Sequence, residues 1–344
     1  SNIASTSYHQ PIIDNILDAA GKRGGAVSEG LTDGGQRIQL RGRNFGAPNT
    51  AYLEKVTYGR SGIEYDATEN CSVVDHKTID CVSQPGVGAD LKWFVTVQGL
   101  TSQISDTTTT YAPPNITMLH PSTGVTQGGD ILRVDGVNFG LPDPSAYTHI
   151  IFDGQRLDPV RSAIGDADMG GRRNHTVWFQ VPPFPGQGLR KQVFIVTGQK
   201  PFGGAEQKSD PALFNYLPPR LDKVSTFEGK RNGQVRLVLD GSNLGISGKV
   251  HGVKPPSSLT NADGSVDCTK LDVSMCSVSQ GENRLIPTID LESSCGPKET
   301  DVCWGHNQIT VLFGGTCGCI RVEVSSGDDA QLTPWMTFID FDPF

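Results

Sequence analysis

One five-residue cassette occurs three times in the chain: Gly42-Arg43-Asn44-Phe45-Gly46, Gly136-Val137-Asn138-Phe139-Gly140 and Gly241-Ser242-Asn243-Leu244-Gly245. Its copies stand about 100 residues apart, a period that describes one module repeated along the chain rather than a single pocket built for chemistry. Upstream of each lies a small-residue turn, Gly34-Gly35, Gly128-Gly129 and Asn232-Gly233. The intervening runs, Arg37 to Leu40, Asp130 to Val134 and Val235 to Leu239, alternate in polarity as half-buried strands do. Glycine accepts positive φ without strain, so Gly-x-Asn-Phe-Gly suits a tight exit turn that returns one apolar anchor to a core.

A second mark recurs at the module edges: Tyr8-His9-Gln10-Pro11, Tyr111-Ala112-Pro113-Pro114 and Tyr216-Leu217-Pro218-Pro219. Proline removes a donor and fixes φ, so a strand ends at each mark and the next module begins through a stiff, extended link. The boundaries expected from these marks give a strand-like segment over 1–10 and modules over 11–112, 113–217 and 218–344.

The run Pro114-Asn115-Ile116, Leu119, Pro121, Gly124, Gly128-Gly129, Val134, Gly136 and Asn138-Phe139-Gly140 resembles the opening half of an IPT/TIG domain, the immunoglobulin-like module shared by plexins, some transcription factors and many secreted proteins. The first repeat matches the same pattern around an insertion between Asp18 and Thr32, while the third departs from it, with Leu244 in place of Phe and one extra residue before Gly241. The resemblance implies an all-β chain of three tandem immunoglobulin-like β-sandwiches, and it specifies a fold without specifying an activity. Forty-one glycines and 22 prolines in 344 residues suit such a chain of turns and short strands. Ile12 to Ala20 has some helical character, but its counterparts in the other repeats are extended, so it is read as a first strand.

Cysteine usage is even within each module: Cys71 and Cys81 in the first, none in the second, and Cys268, Cys276, Cys295, Cys303, Cys317 and Cys319 in the third. That parity fits self-contained disulfides, with Cys71 paired to Cys81; the other six allow fifteen connectivities, among which sequence does not choose. Zinc is the rival reading for the six, but Cys317-Gly318-Cys319 offers no Cys-x-x-Cys pair and His306 stands alone near Cys303. Asn261 to Gly264 lacks the ordered oxygen ligands of a calcium loop and reads as a turn. No cofactor is expected.

Asn70-Cys71-Ser72, Asn115-Ile116-Thr117 and Asn174-His175-Thr176 are N-glycosylation acceptors, and Thr107, Thr108, Thr109 and Thr110 form a short run that could carry O-linked sugar. Beside paired cysteines they point to a secreted or cell-surface protein. Some IPT domains bind DNA, but that requires a basic face, and this chain has net charge −8 and pI near 5.4. No apolar stretch approaches a membrane span, and an extracellular chain without a signal peptide implies one already removed.

Motifs for enzyme chemistry are missing: no nucleophile elbow, no His-Glu-x-x-His, no phosphate loop. The seven histidines look scattered, Asp166 and Asp168 lie in a Gly-rich stretch without the rigid opposition a glycosidase needs, and the tryptophans sit in apolar strand contexts that favour packing over sugar stacking. The chain is therefore expected not to be an enzyme. Ser7 and Tyr8 belong to text that elsewhere closes a module, and Trp335, Phe338 and Phe341 belong to the opposite end. From this phase we expect a structural subunit joined end to end with copies of itself into a filament or surface appendage. A receptor or adhesion ectodomain using the modules as a stalk or binding arm, or an accessory array of a secreted carbohydrate-active enzyme, would use the same parts.

Overall fold

The three cassettes adopt one conformation in the computed structural model, which describes residues 8–23, 27–48, 50–140, 148–167, 173–183, 190–198, 205–229, 234–245, 248–253, 259–263, 267–276, 303–314, 317–324 and 331–339. Asn44, Asn138 and Asn243 occupy the left-handed region at φ 64°, 63° and 55°, and Gly46, Gly140 and Gly245 follow at 87°, 88° and 68°. Asparagine enters that region at modest strain because its short amide bonds locally. Each Nδ2 here donates to the carbonyl of the residue just before a junction proline: Asn44 to Gln10 at 3.0 Å, Asn138 to Pro113 at 3.4 Å and Asn243 to Pro218 at 3.4 Å. The cassette and the Tyr-Pro mark are thus two halves of one device. The opening glycine answers a different need. A Cβ on Gly42, Gly136 or Gly241 would overlap the carbonyl oxygen of Ile12, Asn115 or Arg220 on the adjoining strand, where each ladder slips by a bulge.

The first repeat runs β1 (Ile12–Asp18), β2 (Arg37–Arg43), β3 (Leu53–Gly59), β4 (Tyr65–Asp66), β5 (Cys71–Asp75), β6 (Thr78–Val82), β7 (Lys92–Val97) and β8 (Leu100–Thr101). The second runs β9 (Asn115–His120), β10 (Thr123–Gly124), β11 (Ile131–Val137), β12 (Thr148–Phe152), β13 (Gln155–Leu157), β14 (Arg161–Ala167), β15 (Arg173–Gln180), β16 (Lys191–Thr197), β17 (Gln207–Lys208) and β18 (Ala212–Tyr216). The third runs β19 (Arg220–Gly229), β20 (Gln234–Ser242), β21 (Gly248–Val253), β22 (Cys303–Trp304), β23 (Gln308–Gly314), β24 (Cys317–Val324), β25 (Gln331–Leu332) and β26 (Met336–Ile339). Among the described residues there is no α-helix, only short 3-10 turns. The chain is all-β and immunoglobulin-like, and Ile12 to Asp18 is a strand as its pattern predicts.

Two compact units divide the chain: Ser1–Pro121 with Ile131–Gln180 and Gln192–Leu213, and Ser122–Asp130 with Val181–Lys191 and Phe214–Phe344. The division runs through the segment 113–217 rather than along its expected ends. In the first unit, sheet β1-β2-β6-β5 faces sheet β4-β3-β7-β8 across a core that includes Ile38, Leu40, Ile79, Val56 and Val95. The alternation of β2 is the reason: Ile38, Leu40 and Gly42 are buried while Arg37, Arg41 and Arg43 face out. Trp93 is fully buried and stacks on Tyr58 at 4.2 Å, whose hydroxyl meets that of Tyr111 at 2.7 Å; burial pushes the Tyr58 phenol up to about 12. Sheet β14-β15-β11-β9 and the antiparallel strands β13-β12-β16 belong to the same unit, with Phe152 of β12 edge-on to Phe179 of β15 at 6.1 Å. The second unit holds the short parallel β10–β18 ladder, sheet β19-β20-β23-β22, and β24 flanked by β21, β25 and β26, around Leu237, Leu239, Leu244, Ile309, Ile320 and Phe338.

Candidate functional site

The chemistry-bearing residues converge on the turns between repeats. Gly34-Gly35 and Gly128-Gly129 both lie at positive φ, and the two turns make corresponding backbone hydrogen bonds. Gly34 N donates to Leu31 O and Gly128 N to Val125 O, each at 3.0 Å; Gly35 N donates to Ser83 O at 2.8 Å and Gly129 N to Val181 O at 2.9 Å. A Cβ on Gly34 would press on the Gln84-Pro85 peptide, and one on Gly128 on the Pro182-Pro183 peptide, so glycine is needed for close approach as well as for φ. The residue before each pair, Asp33 or Gln127, and the threonine before that, Thr32 or Thr126, are thereby held at the tip of a rigid turn.

Each tip meets the next cassette at a histidine. Within the first unit, Asp33 Oδ1 lies 3.0 Å from His175 Nε2, and His175 Nδ1 accepts the Phe139 amide at 2.8 Å. The ring is only 2% exposed and stands edge-on to Phe139 at 6.0 Å. Since Nδ1 accepts, Nε2–H donates the hydrogen bond that Asp33 Oδ1 accepts. Further along this contact, Ala89 and Ala205 bond reciprocally, and Gln207 Nε2 donates to Tyr111 O at 2.7 Å. Within the second unit, fully buried Thr126 sits 2.9 Å from His306 Nδ1 through its hydroxyl, and its amide donates to Asn243 Oδ1 at 3.3 Å. The Leu244 amide in turn bonds His306 O at 2.8 Å. At the first cassette the Phe45 amide bonds His76 O at 3.1 Å, and His76 is exposed. Three histidines that look scattered in sequence therefore share one station, beneath the apolar anchor of each cassette.

Burial holds the His306 imidazole below the usual histidine value of 6.5. The folded state then binds fewer protons than the unfolded chain, so stability rises with pH and is lost as pH falls through the unfolded value. Protonation also makes Nδ1 a donor, and the Thr126 hydroxyl would have to turn. The melting temperature of the second unit is expected to fall between about pH 7 and pH 5, with His306→Asn flattening that slope in a calorimetric pH series. An unchanged slope in the variant would remove His306 as its source.

The other candidate residues are distributed as follows. Asn70, Asn115 and Asn174 are all exposed. Cys71 and Cys81 face each other across β5 and β6 and are bonded; Cys268 is bonded to Cys317, and Cys319 is also in a disulfide. Cys295 and the side chains of Cys276 and Cys303 lie outside the described residues. No group of His, Cys, Asp or Glu suited to a metal occurs among the described residues. Thr109 corrects the expectation of O-linked sugar at that position: it is buried, 4% exposed, and its hydroxyl accepts the Trp93 indole N–H at 3.0 Å. Thr107, Thr108 and Thr110 are half-buried. Phe338 likewise corrects its expected role as an assembly contact, being 4% exposed inside the core of its own unit. Trp335 is half-buried under the Arg321 guanidinium at 4.6 Å, Tyr8 is 86% exposed, and Ser7 and Phe341 lie outside the described residues. No described helix is long and apolar enough to cross a membrane.

No family model matches the chain, and no curated protein matches it. Among solved structures it is similar to the Plexin A4 full extracellular region, at 12% identity and TM-score 0.26, over 93% of this chain and 21% of that one. It is also similar to the mouse nectin-like molecule 4 full ectodomain, at 12% identity and TM-score 0.23, over 90% and 96% of the two chains. A third is SGBP-B from a complex xyloglucan utilization locus in Bacteroides uniformis, at 13% identity and TM-score 0.23, over 71% and 72%. The chain spans about a fifth of the plexin's length, and at these scores nothing of the neighbours' chemistry transfers to it.

Proposed function

We propose that this chain is an extracellular, glycosylated, non-catalytic structural protein: IPT/TIG-like modules over 11–112, 113–217 and 218–344 that associate with copies of themselves into a filament or surface appendage. The observation that carries this reading is that a turn twice meets the next cassette at a histidine, Asp33 on His175 and Thr126 on His306, through side-chain bonds across the junction. Such junctions resist bending because a buried donor or acceptor left unpaired costs about 1–3 kcal/mol. The disulfides fit an oxidising compartment, and the exposed Asn70, Asn115 and Asn174 leave room for sugar. The reading needs no cofactor, metal or nucleic acid. Sedimentation velocity over a concentration series, with electron microscopy of the same samples, is expected to give mass that rises with concentration and linear particles. Dispersed monomers throughout, with saturable binding to a different surface protein, would favour a receptor or adhesion ectodomain instead.

A further inference from the structure

The sheet β14-β15-β11-β9 turns one face to the core and the other to solvent. Val134, Val177 and Phe179 are buried on the inner face, so the residues alternating with them point outward. Across all four strands one outward row reads Arg161, Trp178, Arg133 and His120 in register, and the next reads Ala163, Thr176, Asp135 and Met118. In sequence Trp178 reads as a packing residue, but on this face it is only half-buried, and Met118 and Ile131 are each 50% exposed. The Arg161 guanidinium lies 3.9 Å over the Trp178 ring and has no hydrogen-bond partner among the described residues. On the other side of Trp178, Arg133 gives its Nε to Asp135 Oδ1 at 2.8 Å, and the same oxygen accepts the Thr176 hydroxyl at 2.6 Å. The terminal guanidinium nitrogens of Arg133 stay available as donors.

Two glycosylation acceptors belong to this same face. Asn174 precedes the buried His175 and so points outward, four residues before Trp178 and about 13 Å from it along β15. Asn115 pairs with Val137 toward the same end of the sheet and is exposed as well. A protein docking here would meet a sugar at each position, whereas a sugar attached to Asn174 starts on the face itself. Its chemistry fits what the face presents. Ring hydroxyls and N-acetyl carbonyls accept from guanidinium N–H groups, and the C–H faces of the rings suit the part of the indole that Arg161 leaves open. We propose that the N-linked glycan of Asn174 lies along β15, its inner sugars passing over Thr176 to Trp178 and accepting hydrogen bonds from Arg161 and Arg133. The inference rests on the glycosylation reading and adds where the sugar goes. Attachment bonds Asn174 Nδ2 to the anomeric carbon of the first sugar, breaking that carbon's bond to the phosphate of a lipid-diphosphate oligosaccharide and releasing the amide proton and the lipid diphosphate. A face covered in this way is withdrawn from contacts between copies.

The full chain, secreted from a eukaryotic host with carbon-13-labelled oligomannose glycans, tests this. Peptide mapping by mass spectrometry is expected to find Asn174 occupied. Nuclear magnetic resonance is expected to show C–H protons of its inner sugars shifted upfield by the indole ring, with Overhauser contacts to Trp178. Both signals are expected to vanish in Trp178→Leu, which keeps an apolar side chain on β15, and circular dichroism checks that the variant is folded. Trimming the glycans of the folded parent to a single sugar with an endoglycosidase is expected to lower the melting temperature of the first unit by about 2–4 °C. The same trimming of Asn174→Gln is expected to lower it by less than about 1 °C, which assigns the effect to that glycan. If Asn174 carries a sugar whose protons are unshifted and make no contact with Trp178, the glycan stands out in solvent; the inference falls and the glycosylation reading stands. If Asn174 is bare in the secreted protein, both fall at this site.

Discussion

Phe139→Ala is expected to destabilise the first unit by about 3–5 kcal/mol, read as a lower urea midpoint at unchanged slope. Phe139 is 2% exposed, and truncating a ring in a core loses both its transfer free energy and the packing around the void. The effect should also spread. The Phe139 amide bonds His175, the ring lies edge-on to that imidazole, and His175 holds Asp33 of the first repeat. Displacing the imidazole would remove its hydrogen bond to Asp33. Loss of signal from Trp93 in the first repeat and Trp178 in the second is therefore expected to coincide in the parent protein, because both sit in one compact unit. In Phe139→Ala, the Trp178 transition is expected to move further. Coincident transitions at the parent midpoint would show that the cassette phenylalanine is not a core anchor.

Much of the fold was legible from local chemistry. Asn at positive φ, Gly against a carbonyl and a run alternating in polarity are local constraints, and each leaves a residue type at a fixed offset. Cys71 and Cys81 face each other on adjacent antiparallel strands, so their separation of ten residues already suggested the bond. The junctions were harder to read. His76, His175 and His306 fall at unequal distances from Phe45, Phe139 and Leu244 because the strands between anchor and histidine differ in number and length. Two of them use the backbone carbonyl and one the ring, so side-chain identity alone carried no period. Thr109 was misread for a related reason. In sequence it is one of four equivalent threonines, whereas in the fold only its hydroxyl reaches the Trp93 indole. Phe338 sits in text resembling a module edge, yet β26 pairs with β24 and turns that ring inward.

The second large effect is expected from removing the Cys268–Cys317 bond by paired substitution to serine. Cys268 opens a short 3-10 turn whose cap, Asp267, accepts the Thr269 amide, and Cys317 opens β24, the strand that pairs with both β21 and β26. The bond therefore ties a loop-borne residue to the centre of a sheet. It closes 49 residues, and in the chain-entropy account a loop of that length restrains the unfolded chain by about 4 kcal/mol. The Cys71–Cys81 bond closes only ten residues, between strands already paired by their ladder, and the same relation gives about 2.7 kcal/mol. Urea unfolding without reductant should rank the two serine pairs in that order, with the larger loss confined to the second unit. Equal losses, or a larger loss at Cys71 and Cys81, would mean that the chain between residues 268 and 317 is already restrained when unfolded, by other cysteine pairings or by residual structure. The staple at β24 would then be redundant for stability, and its value would have to lie in setting the register of β24 against β21 and β26.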